Sequence, residues 1–68
     1  MNSPEAFANA IADNAAAYTS DAIPFADFNA RALALWRQAE AAGFERETCA
    51  LVRAKIDKAR EAIAAARA

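Results

Sequence analysis

The sequence predicts an all-α fold, a small antiparallel three-helix bundle, and three observations carry that reading. Alanine, the strongest helix former, occupies 23 of the 68 positions. Proline and glycine occur only at Pro4, Pro24 and Gly43, each where a helix boundary is expected. Apolar residues recur at spacings of three and four, whereas strict alternation is absent and valine occurs once, so no segment reads as a strand.

The first helix is expected over about 4–18. Ser3 is placed to cap it, Pro4 suits the first helical position, and Glu5 complements the positive end of the helix dipole. The segment 18–24 forms the first turn, because Pro24 disfavours helical geometry at Ile23 and Thr19, Ser20 and Asp21 compete for backbone hydrogen bonds. The second helix covers about 25–42. With Pro24 at its N-cap, Ile23 and Phe28 have the spacing of a hydrophobic staple and Asp27 lies in the first turn. Gly43 supplies the left-handed residue that ends this helix, and Phe44 folds back on it. The third helix runs over about 45–66, longer than its companions, so that 61–68 can project beyond a single domain spanning 1–68.

Composition limits function. The chain is 57% hydrophobic, yet only 16 residues of that set are larger than alanine. So thin a core excludes a second domain and leaves none to spare for a catalytic cleft, and the expectation is that the protein is not an enzyme. No histidine is present and cysteine occurs once, at Cys49, so an internal disulfide and the usual zinc ligand sets are excluded, and no cofactor is expected. No signal peptide or transmembrane stretch is legible, and a reducing cytoplasm fits. The net charge of −1 argues against a nucleic-acid coat or a polybasic membrane anchor. That total conceals a segregation: residues 1–30 carry four acids and no base, whereas residues 46–68 carry six bases against three acids.

Candidate surfaces follow from the helical faces. Phe7, Ile11 and Tyr18 share one stripe of the first helix, with Asn14 in its midst, where an amide needs a partner: a neighbouring turn or a binding surface. The second helix has a broad apolar face, which fits a helix seated between the other two; alternatively its edge at Phe25, Leu33 and Trp36 is an aromatic anchor for another protein. In the third helix Cys49, Val52, Ile56, Ala59, Ile63 and Ala66 follow a heptad seam at positions a and d, and Cys49 reads as a small core residue. Arg46, Arg53, Arg60 and Arg67 then all occupy position e. They form either a solvated flank, partly neutralised by Asp57, or a line that meets an acidic protein surface.

In size, charge segregation and lack of catalytic residues, the whole chain resembles the small helical proteins that phages and other mobile elements encode to inhibit host machinery, anti-CRISPR proteins among them. The resemblance implies an inhibitor that docks on a larger protein or nucleoprotein complex. The leading expectation is accordingly a non-enzymatic protein-binding module that uses Arg46, Arg53, Arg60, Arg67, Phe25, Leu33 and Trp36. The alternative is a self-associating helical structural or regulatory module, a homodimer through the third helix. A third reading, nucleic-acid binding through that helix, is opposed by its acids and by the overall charge.

Overall fold

The computed structural model describes residues 3–67 and consists of three helices, α1 (Pro4–Thr19), α2 (Phe25–Ala41) and α3 (Glu45–Arg67). The expected boundaries hold to within one residue at each end, and no strand occurs among the described residues. Ser3 caps α1 as expected, its Oγ accepting a hydrogen bond from the Ala6 amide at 3.1 Å. Pro24 stands at the N-cap of α2 without a side-chain bond.

Both interhelical turns end their preceding helix in the same way. At the end of α2 the Phe44 amide donates to the Ala39 carbonyl (2.9 Å) and the Gly43 amide to that of Glu40 (3.0 Å), with Gly43 at φ 79°. This is the paired 6→1 and 5→2 bonding of a Schellman motif. At the end of α1 the Ala22 amide donates to Ala17 (2.9 Å) and the Asp21 amide to Tyr18 (3.1 Å), and the left-handed residue is Asp21 at φ 63°. Aspartate tolerates that conformation better than most side chains, though less well than glycine.

The order of packing differs from expectation. The central helix is α1, not α2: it packs along both neighbours, whereas α2 and α3 barely touch. The cause is side-chain size. Ala8 is fully buried on α1 beside Phe7 and Ile11, and small residues allow close helix approach on either side. Between α2 and α3 stand Trp36, Val52 and Ile56, too bulky for such an approach.

The buried set is correspondingly small: Phe7, Ala8, Ile11 and Asn14 of α1, Ala39 of α2 and Thr48 of α3. Phe44 closes the end of this core, its ring centroid 6.4 Å from that of Phe7. Tyr18, Phe25 and Phe28 form a second cluster at the α1–α2 corner, where Tyr18 stacks on Phe28 at 4.7 Å and Phe25 lies 5.8 Å from Tyr18.

The orientation of α3 brings a second correction. Its inward face runs through Thr48, Leu51 and Val52, so the a/d seam is turned to one side. Cys49 is exposed, not a core residue, because the helix its seam would pair with is not there. Beyond Val52 every described residue of α3 is exposed, including 61–67; Ala68 lies outside the described residues.

Candidate functional site

Part of the α3 seam, left uncovered by the fold, lines a groove. The floor is α1, through Ile11, Ala12 and Ala15; one wall is α2, through Phe28, Ala32 and Trp36; the other is α3, through Val52, Ile56 and Ala59. The groove encloses about 360 Å³, opens to solvent, and is apolar except for Asn14 in the floor and Lys55 on the rim. Trp36, Val52 and Ile56 continue into an adjoining concavity of about 350 Å³, whose remaining lining is Cys49, Arg53, Asp57 and Arg60.

Three of the site residues expected from sequence therefore meet on one surface: Trp36 from α2, and Arg53 and Arg60 from α3. The others lie elsewhere. Arg46 and Arg67 are exposed near the two ends of α3. Phe25 is 59% exposed but packs into the Tyr18 and Phe28 cluster, and Leu33, 49% exposed, stands free of it on α2. Phe28 joins the two regions, since it belongs both to the aromatic cluster and to the groove wall.

In the sequence Val52, Ile56 and Ala59 form a heptad seam, and Lys55 beside it carries no signal of its own. Periodicity identifies an apolar face and does not say whether the fold supplies its cover. Exposure settles the matter: Ile56 is 47% and Ile63 52% exposed.

Surface area supports the same reading. A compact monomer of 7.2 kDa is expected to expose about 4,100 Å². This chain exposes 5005 Å². The excess, roughly 900 Å², goes with the long exposed run of α3 beyond Val52, which includes 61–67 as well as the seam.

Asn14 is placed as its position in the stripe demands. Its Nδ2 donates to the Phe28 carbonyl at 3.0 Å, while its Oδ1 is buried without a donor. The amide thus bonds a neighbouring helix and also lines the floor of the groove.

The charges around the groove are predominantly positive. Arg53, Arg60 and a single acid, Asp57, line the adjoining concavity on one side of the α3 seam, and Lys55 lines the groove on the other. Of the remaining acids of α3, Glu47 and Glu61 fall at outward heptad positions, and Glu45 opens the helix outside both linings.

Among the described residues no three histidine, cysteine, aspartate or glutamate side chains group as metal ligands, and no helix is long and apolar enough to cross a membrane. Comparison with known protein families, with curated proteins and with solved structures found no match.

Proposed function

We propose that the protein is a non-enzymatic binding module whose α2–α3 groove takes an amphipathic helix of a larger protein. The observation that supports this best is the α3 seam, an apolar heptad stripe left open beside Trp36. A heptad seam is complementary to another helix, and tryptophan in a partly covered apolar setting is the residue type most often found to dominate interface energy. A small molecule would stay half in water in so open a groove, whereas ligand sites enclose most of their ligand. Helix-in-groove recognition needs only one apolar face of the guest to be covered. By holding a helix that its owner uses in another contact, a chain of this size acts as an inhibitor, the mode that the resemblance to small mobile-element proteins implies.

Cys49 provides the test, because it is the sole cysteine, is exposed and lines the concavity. A photo-reactive maleimide attached there is expected to crosslink a partner in native extract. That product should vanish in Trp36→Ala with helical circular dichroism unchanged. Identical crosslinking by the variant would exclude the groove as the binding surface.

A further inference from the structure

The groove's charge pattern narrows its guest. We infer that the bound helix is acidic, presenting carboxylates seven residues apart beside its apolar seam, and that it comes from another protein and not from a second copy of this chain. The inference rests on the helix-docking reading above.

The flanks of the α3 seam carry the charges a guest would meet. With Val52 and Ile56 at d and a, position e holds Arg53 and Arg60, and the intervening position g holds Lys55. Arg53 and Arg60 are separated by roughly 10 Å along the helix, at about 1.5 Å per residue. A guest helix lying along the seam meets them with its own flanking positions one heptad apart, g in a parallel arrangement and e in an antiparallel one. Two guest carboxylates at that spacing meet both arginines. Two guest cations would oppose them, and Asp57 alone does not neutralise a rim of three cations.

The same geometry tests a second copy as guest. The seam itself permits pairing, because about a two-fold between Asp57 and Lys58 it places Ile56 on Ala59 and Val52 on Ile63. Its flanks disfavour it: the antiparallel pair sets Arg53 against Arg60 of a second copy, and the parallel pair sets Arg60 against Lys55 of a second copy. Neither arrangement gives an arginine a carboxylate. The apolar stripe of α1, the helix with acids at Glu5 and Asp13, is already buried in the core. Like charges placed opposite one another disfavour a second copy, whereas an acidic guest is attracted by the same positions.

Trp36, the sole tryptophan, reports occupancy of the groove by its emission. The probes are three synthetic helical peptides of three heptads, with leucine at a and d and with glutamate, glutamine or lysine at e and g. The glutamate peptide is expected to blue-shift Trp36 and to bind roughly tenfold tighter than the glutamine peptide, two exposed ion pairs each contributing a few-fold. That preference should collapse near 1 M salt, where the screening length is about 3 Å. The double variant Arg53→Glu, Arg60→Glu should reverse it, favouring lysine over glutamate. Equal binding of the glutamate and glutamine peptides would overturn the charge assignment and leave the helix groove standing. No binding of any peptide at millimolar concentration would overturn both. Sedimentation of the chain alone as a dimer, abolished by Ile56→Asp, would replace the foreign helix by a second copy.

Discussion

The side-chain amide of Asn14 on α1 donates to the Phe28 carbonyl on α2 at 3.0 Å, a bond between residues 14 positions apart. It fixes the corner where the aromatic cluster, the core and the groove meet, since Asn14 is buried in the core and both residues line the groove. The bond is only half of what the amide needs, because its Oδ1 is buried without a donor.

That asymmetry predicts opposite responses to two substitutions of similar size. Asn14→Leu removes one hydrogen bond worth about 1 kcal/mol together with the unsatisfied oxygen, whose desolvation costs about as much, so unfolding free energy should change by less than about 1 kcal/mol. Asn14→Asp replaces the donor by a carboxylate facing a carbonyl. Burial raises the folded-state pKa of that group above its unfolded value of about 3.9. The penalty is therefore absent below about pH 4 and grows as pH rises, reaching a few kcal/mol at neutrality. Urea midpoints at the two pH values check this; an Asp variant equally stable at both would refute it.

The two turns predict a second pair of opposite effects. Gly43 has φ 79° and an added Cβ would meet no atom within 4 Å, so Gly43→Ala should cost only the backbone term, about 1 kcal/mol. Asp21 carries the equivalent strain at φ 63°, and Asp21→Gly should raise stability by a few tenths to about 1 kcal/mol. Chemical denaturation followed by circular dichroism resolves both signs.

Where α3 enters the core, the buried Thr48 hydroxyl has no hydrogen-bond partner. Thr48→Val keeps the shape and removes a polar atom whose unpaired burial costs about 1–3 kcal/mol, so the variant should be more stable. Ala8→Leu, by contrast, forces extra volume into a fully buried helix contact and should destabilise by about 1–3 kcal/mol. Thermal unfolding of the two variants beside the parent protein tests both directions.

The end of α3 is expected to be dispensable for folding. Residues 61–67 are all exposed, and the groove lining ends at Arg60. Deleting 61–68 should shift the unfolding free energy by less than about 1 kcal/mol, the range of changes that touch no core. It should also leave the Trp36 emission of the free protein unchanged. A large loss in the denaturant midpoint would show that this segment carries packing.

The helices and their ends follow from local sequence. Ser3 before Pro4, Pro24 before Phe25 and Gly43 before Phe44 act through local hydrogen bonds and fixed backbone angles, which do not depend on what lies across the fold. Local pattern also puts Asn14 on the buried side of α1 and singles out Trp36, Arg53 and Arg60, which share one surface. Tertiary structure alone decided which helix is central and which apolar face stays open. Periodicity treats Val52 and Ile56 alike as inward; whether a neighbour reaches them depends on interhelical distances, and those follow from the size of the side chains that meet. Alanine lets α1 approach both neighbours, while Trp36 lies between α2 and α3. The seam that local pattern assigns to the core becomes the wall of a groove.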